Sequence, residues 1–375
     1  MDNQSALITA LDYFSYALAA IVIALTAAPV LPLSFWPVRI GDFPRIQIAL
    51  AGTLSVALLL IFSTPLSFFD LTAAAFATVA VIYQVHAILP YTPLYPKEVE
   101  PARSRADSQT IRILISNVLV ENDRTDRLLA AVDEADPDVI LLAETDEKWI
   151  SRIQKLKKSH PHAVERPQDN AYGMAMYSRL ELVGTEVKFI VEKDVPSIHT
   201  GVRMPSGEVI RFYGVHPRPP VPSETGESTE RDAELVLVGK LVREKGVPAI
   251  IAGDMNDVAW SRTTKLFQKI SGMLDPRKGR GMYNSFHTEY PFLRFPLDHI
   301  FHSPHFRLVE LRRLDSIGSD HFPILAVLSL ENGAEKEQEQ PEPETEDIKE
   351  ANQKVREAER KNDTKLDGES NVNDD

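Results

Sequence analysis

The sequence predicts an α/β domain in which two β-sheets pack face to face between outer helices, preceded by a short bundle of membrane-spanning helices. Three observations predict it. The first ninety residues contain three long apolar runs, the stretch Ile111 to Leu330 alternates strand-like and helix-like segments, and the remainder is acidic and poor in large apolar residues. The apolar fraction of 43% and charged fraction of 25% are ordinary for a globular protein and conceal this unevenness. The net charge of −13 divides into −1 before Ala106, −3 from Ala106 to Leu330 and −9 beyond. The middle therefore lacks the basic excess of a dedicated duplex-DNA binder. The absence of cysteine excludes disulfides, zinc–thiolate sites, iron–sulfur clusters and a Cys nucleophile.

The apolar runs cover Tyr13 to Leu31, Ile46 to Ser63 and Phe68 to Leu89. Each is close to the ~20 residues needed to cross hydrocarbon. Their interiors hold no Lys, Arg or Glu, and Asp12 and Asp70 lie at the edges, where a charge reaches the headgroups cheaply. Three such runs in succession leave too little polar surface for a soluble helical unit. The expected organisation is a membrane region over 1–92, a Pro-rich linker over 93–110, a mixed α/β domain over 111–330 and an acidic disordered tail over 331–375. Arg39 and Arg45 follow the first run, and Lys97, Arg103 and Arg105 follow the third. With three crossings these segments share a side, and the positive-inside rule makes it cytoplasmic. The expected protein is thus an integral, multi-pass membrane protein with its domain on the cytoplasmic side.

The linker, PYTPLYPKEVEPARSR from Pro90, has four prolines and reads as an extended spacer. The tail cannot bury enough surface to offset its ordering entropy, so disorder is expected, with a transient helix around Asp347 to Lys361. Between them, Ile111 to Val120 reads as a strand, Arg124 to Glu134 as a helix ended before Pro137, and Asp138 to Leu142 as a second buried strand. Further strands are expected at Gly173 to Tyr177, Val209 to Val215, Ala249 to Ala252, His299 to Phe301 and Ile324 to Leu328. A helix is expected from Glu230 to Glu244. Strand–helix–strand order with many short strands is the pattern of packed sheets with helices outside.

Polar residues cluster where these strands end, and a strand end is a rigid mount for a reactive group. Asn117 interrupts the first strand and Glu144 follows the second; His216 ends VIRFYGVHPRPP, and Asp254 and Asn256 lie in AIIAGDMND. Asp298 stands in FPLDHIFHS, and Asp320 and His321 in IGSDHFPIL. Singly, each has a bland reading as a turn former, bulge residue or satisfied histidine. As a set they differ. Carboxylates plus an Asn oxygen form a hard-oxygen environment suited to Mg2+ or Mn2+ rather than zinc. Phosphate-ester hydrolysis needs such a cation, a carboxylate for the attacking water and neutral donors for the phosphoryl group. Asp298 can orient His321 and raise its basicity.

Asn117, Glu144, the GDMN at Gly253 to Asn256, the LDHI at Leu297 to Ile300 and the SDHFP at Ser319 to Pro323 resemble, in order, the motifs of the endonuclease/exonuclease/phosphatase superfamily. The resemblance covers about 220 residues of the chain. It implies a four-layer α/β sandwich and a divalent-metal-dependent phosphoesterase acting by in-line attack of water. It implies Glu144 as principal metal ligand with Asn117 and Asp320 beside it. His321 resembles the family's general base or phosphate contact, held by Asp298. Asp254 resembles the carboxylate that positions or deprotonates water, and Asn256 the neutral phosphate contact. His216 stands where DNase I-like members place a second histidine, a candidate acid, and Asn170 precedes the family's Gly-containing strand as a substrate contact. The resemblance leaves open whether Asp254 or His321 takes the proton.

Three functions are consistent with this. The first is a membrane-anchored phosphatase or phosphodiesterase for a lipid-linked or small phosphate, with membrane lipid as partner. The second is a nuclease for DNA or RNA, and the third a non-catalytic scaffold that retains the fold. Near-neutral charge and the tether tilt toward the first, as does the loop Pro217 to Thr229, whose single Arg218 is poorly suited to clamp a duplex. No protein partner is inferable, and the intact motif set opposes the scaffold.

Overall fold

The computed structural model describes residues 3–372 except Pro32, Thr64, Ser223 and Thr225, with side chains from Leu7 to Asp363. The chain divides into two compact units, one up to Tyr95 and one from Pro96 onward.

The first unit holds α1 (Asn3–Ala27), α2 (Trp36–Arg39), α3 (Arg45–Phe62) and α4 (Phe68–Ile88). Three spans, Leu7–Val30, Arg45–Phe62 and Phe68–Tyr91, are long and apolar enough to cross a membrane. Asp70 is no stray charge within a span: with Ser67 it forms a reciprocal capping box that starts α4. Arg45, buried at the head of α3, bonds Asp42 at 2.5 Å and Gln84 at 2.8 Å, and Gln84 continues to Thr26 at 2.9 Å. Large apolar side chains face outward instead, with Leu50 66% and Phe76 60% exposed.

The second unit runs β1 (Thr110–Asn117), α5 (Thr125–Ala135), β2 (Val139–Ala143), α6 (Glu147–Arg152), β3 (His162–Arg166), β4 (Met174–Ser178), β5 (Leu182–Lys188), β6 (Ser197–Arg203) and β7 (Val209–Gly214). It continues with α7 (Thr229–Lys245), β8 (Ala249–Asp254), α8 (Arg262–Ser271), β9 (Asp298–His302), β10 (Phe306–Arg313), β11 (Ile324–Leu330) and α9 (Thr345–Val372). One sheet has the order β10-β11-β1-β2-β4-β3 and the other β5-β6-β7-β8-β9. Ile113, Ile115, Leu141 and Met176 of the first meet Ile210, Phe212, Ile250 and Ile300 of the second in one core. The opposite face of the first sheet packs on α5 and α6 through Leu128, Val132 and Trp149, and that of the second on α7 and α8 through Leu235, Val238 and Phe267. This is the two-sheet sandwich with outer helices that the sequence predicts.

Two expectations are corrected. Over residues 331–372 the expected disordered tail is instead ordered, because α9 lies on α7 and α8, while residues 373–375 lie outside the described residues. Ala351, Val355 and Ala358, spaced to share one helix face, turn inward. Ion pairs flank that stripe: Lys269–Asp347 at 2.9 Å, Arg262–Glu350 at 2.8 Å and Lys354–Asp232 at 2.7 Å. Nor is the whole linker a free spacer. Glu100 and Ala102 pair with Leu308 of β10 and Val99 enters the inter-sheet core, so the folded unit begins before Ile111.

Glu234, on the buried side of α7, keeps one carboxylate oxygen without a partner. Burial, with a smaller contribution from Glu192, pushes its carboxyl up to about 8. An unfolded chain titrates it at 4.5. The stability it contributes is complete below that value and is lost as pH rises through the folded one. Glu234→Gln should therefore stabilise the protein above pH 8, by on the order of 5 kcal/mol, and flatten the decline between. Unfolding midpoints of both proteins across that window check this; parallel curves would contradict it.

Candidate active site

Parallel pairing sets β1 and β2 in step, with Asn117 opposite Ala143, so Asn117 and Glu144 emerge side by side. The parallel pair β7 and β8 does the same in the other sheet, and the antiparallel register of β8 with β9 sets Asp254 opposite Asp298. Gly253 has φ of +140°, and a Cβ there would collide with the carbonyl of Val215, so this position of GDMN requires glycine. Glu144 (φ +59°) and Asn256 (φ +50°) occupy left-handed backbone, an arrangement that costs energy in non-glycine residues and concentrates at functional sites.

Four carboxylates converge with two histidines. His321 Nδ1 and Asp298 Oδ2 are 2.6 Å apart, while His321 Nε2 faces Asp254 Oδ2 at 3.7 Å. His216 Nε2 approaches the same oxygen at 3.8 Å from the other side. Asn117 Nδ2 donates to Glu144 Oε1 at 2.7 Å and to Asp254 Oδ2 at 3.1 Å, tying the two sheets' contributions together. Asp320, half-buried, is fixed through its backbone, whose carbonyl accepts from Thr288 N–H at 2.9 Å.

Burial opposes charge on His321, but Asp298 and Asp254 outweigh it and hold the imidazole protonated, with its pKa raised to about 10. The same imidazolium keeps the Asp298 carboxyl low despite burial. Asp254 goes the other way. Burial lifts it to about 6, against the pull of His321. Burial also lifts Glu144 to about 7, with Asp254 and Asp320 adding repulsion. His216 is held neutral: burial, then the His321 charge, lowers it to about 4, and its Nδ1 has no partner.

Glu144, Asp254, Asp298 and Asp320 thus share a single imidazolium as counter-charge, a deficit that a hard divalent cation would cure. The donor set fits such an ion. Among the described residues the tightest group of possible ligand atoms is Asp254, Asp298 and His321, within 4.8 Å of one another. In that group the Nδ1–Asp298 contact is already a hydrogen bond, so Glu144 and Asp320 remain the freer oxygen donors. Asn117 turns its Nδ2 to the carboxylates while its Oδ1 accepts from Leu119 N–H at 3.0 Å. Ligation through oxygen would require the amide rotated by half a turn.

Two expected contacts turn their side-chain amides to backbone groups rather than to the carboxylates, although Asn256 N–H donates to Asp254 Oδ1 at 2.9 Å. Asn256 donates its Nδ2 to Pro217 O at 2.9 Å, and Asn170 is exposed, with Oδ1 accepting from Tyr172 N–H at 3.0 Å. Arg218 is engaged by Glu192, Asp194 and Glu224 at 3.0, 2.7 and 2.7 Å, so its charge is already compensated.

Sequence reasoning missed three supports. Tyr172 stacks between His216, at 5.8 Å, and the Arg218 guanidinium, at 4.3 Å. Phe286 covers His321 with ring centroids 5.0 Å apart. Arg231, buried at the start of α7, donates to Asn256 O at 2.6 Å and to Asp232 Oδ1 at 2.9 Å, and Lys354 of α9 reaches the other oxygen of Asp232. A basic residue beside an acidic one at a helix start carries no local signal of this role. Arg231→Met should lower kcat about 10²-fold by loosening the Asn256 turn. Steady-state kinetics check this, and an unchanged kcat would show that the turn holds without it.

Residues 114–321 match the Endonuclease/Exonuclease/phosphatase family. The chain belongs to this family. The activities in that name all hydrolyse phosphate esters, and the chain is a hydrolase of that class. Among solved structures it is similar to Danio rerio TDP2 complexed with a single-strand DNA product, at 20% identity and TM-score 0.49, covering 59% of this chain and 99% of that one. It is also similar to the human Nocturnin catalytic domain with bound sulfate, at 17% identity and TM-score 0.48, covering 59% and 95%. Beta toxin from Staphylococcus aureus gives 18% identity and TM-score 0.44, covering 58% and 99%. No curated protein matches the chain.

Proposed function

We propose that this family member is a membrane-anchored, divalent-metal-dependent phosphoesterase that hydrolyses a lipid-linked or small phosphate ester by in-line attack of water. The observation that carries the reading is the convergence of Asn117, Glu144, Asp254, Asp298, Asp320 and His321 from strand ends of both sheets. Glu144 and Asp320, with Asn117 beside them, would hold Mg2+ or Mn2+. Once bound, the ion neutralises charge on the phosphoryl and leaving oxygens.

The remaining roles follow from the electrostatics. Asp254, with its pKa near 6, is an ionised acceptor at neutral pH and takes the proton of the attacking water. His321, protonated and held by Asp298, donates to a phosphoryl oxygen rather than acting as base. His216 is neutral and serves as an N–H donor near the leaving oxygen rather than as an imidazolium acid. Asn256 and Asn170 complete the substrate side as neutral contacts.

The apolar outward faces of α1, α3 and α4 support the anchor, since exposed apolar surface of that extent calls for a membrane or partner. Lys97, Arg103 and Arg105 support a cytoplasmic position for the domain. The compensated Arg218 and the near-neutral domain charge support a substrate other than a long nucleic acid. The test is hydrolysis by the full chain in detergent against lipid pyrophosphates, sphingomyelin, inositol phosphates, DNA and RNA. Turnover is expected on the lipid or small phosphates. Cleavage of DNA or RNA alone would make the protein a tethered nuclease instead.

A further inference from the structure

The loop between α8 and β9 rises from the catalytic cluster and ends in bare apolar side chains. At its base Phe286 and Phe295 exchange backbone hydrogen bonds, and Phe322 N–H donates to Ser285 O at 2.7 Å. Thr288 is fixed to the SDH motif twice, through N–H to Asp320 O and through Oγ1 to Ser319 O, both at 2.9 Å. Ring contacts lead outward from His321 to Phe286, then to His287 at 4.9 Å and to Tyr290 at 4.7 Å. At the tip a single 3-10 turn, Pro291–Leu293, presents Tyr290, Phe292 and Leu293 with 55%, 85% and 51% of their surface in solvent. Scattered apolar residues on a surface need no explanation, but three within four positions on a braced projection do.

Charge surrounds the tip in a matching pattern. The guanidinium groups of Arg294 and Arg313 lie over the Phe322 ring at 5.0 and 4.3 Å, next to His321 in sequence. Arg294 donates to the backbone carbonyls of His287 and Thr288, and Arg313 to that of Asn284. Neither forms an ion pair with a carboxylate among the described residues. Glu289, exposed at the tip, offsets one of the two charges. An apolar point with a mildly cationic collar is the surface that sinks into the headgroup–acyl boundary of a bilayer while its arginines meet phosphates.

We propose that Tyr290, Phe292 and Leu293 form an interfacial anchor that seats the catalytic cluster on a phospholipid surface. The inference rests on the membrane phosphoesterase reading only for its purpose, and its test is independent of turnover. The chain lacks cysteine, so Phe292→Cys introduces a unique labelling site. Val247→Cys gives a control, exposed by 40% before the end of β8 opposite Asp254. Full-length protein, labelled with an environment-sensitive dye, is placed in nanodiscs of phosphatidylcholine with a minority of phosphatidylglycerol, with and without acyl-chain nitroxide lipid.

The dye at position 292 should emit at shorter wavelength and be quenched by the nitroxide, while the dye at position 247 stays accessible to aqueous iodide. Equal iodide access at both positions would overturn the proposal. So would protection of position 292 that requires single-stranded DNA or grows with protein concentration, which would assign the tip to nucleic acid or a second copy. A second variant, with Tyr290, Phe292 and Leu293 all replaced by Ser, should retain turnover of a water-soluble chromogenic phosphodiester and lose roughly tenfold on a bilayer-borne ester. Nitroxide quenching without lipid hydrolysis would leave the anchor standing and remove the lipid-substrate reading.

Discussion

Glu144→Gln should reduce metal-dependent turnover at least about 10³-fold while leaving the folded structure and its melting behaviour close to those of the parent. The carboxylate stands at the end of β2, held by the Asn117 amide and crowded by Asp254 and Asp320. The amide is nearly isosteric, keeps a carbonyl oxygen and removes the charge. Its loss lowers the affinity of the site for a divalent ion and leaves the phosphoryl charge less well neutralised. Because burial already disfavours the ionised form, the substitution relieves strain in the ion-free protein, and stability should hold or rise. Kinetics under saturating Mg2+ or Mn2+, with a thermal melt beside them, check both halves. Retained activity would sink the metal assignment.

His321→Ala should cost about 10³-fold in rate with little change in metal affinity. The imidazolium sits inside the carboxylate cluster, and Asp298 holds it at 2.6 Å in a fixed orientation. On the proposed reading its removal would delete the donor to the phosphoryl oxygen and leave Asp298 buried without a partner charge, so some stability should be lost as well. The informative comparison is kcat against the apparent metal constant. A tenfold effect or less would place His321 outside the chemistry, and a large shift in metal affinity would make it a ligand.

Much of this was legible in the sequence because the strands that carry the site are apolar on both faces. Val139 to Ala143 and Ala249 to Asp254 are buried throughout, so a polar residue at their ends stands out. The strands left unread include those whose apolar pattern is polar or broken in the sequence. In β5 the pattern is polar and half-exposed, and in β6 His199, Thr200 and Gly201 interrupt the apolar run. Burial there is created by the neighbouring strands rather than by local composition. A helix around Asp347 to Lys361 was legible, but its packing against α7 and α8 was hidden for another reason. Its acidic composition masks a stripe at Ala351, Val355 and Ala358 that helical spacing alone could have revealed. Tyr172, Phe286 and Arg231 had no such signal, since each acts through residues far away in the chain.

The protonation pattern lay beyond sequence reasoning altogether. Asp254 and Asp298 are the same residue type at equivalent strand ends, yet one is pushed up by burial and the other held down by its contact with His321. That contrast accompanies distances of 3.7 and 2.6 Å to two nitrogens of one ring, and it supports the proposed division into a base and an orienting carboxylate.

The most direct test is hydrolysis of a chromogenic phosphodiester by the full chain in detergent, with Mg2+, Mn2+ or EDTA, beside Glu144→Gln. The account predicts turnover with metal, none with EDTA and none above background in the variant. Equal turnover with and without chelator, or silence of the intact chain on this and every natural phosphoester, would contradict it.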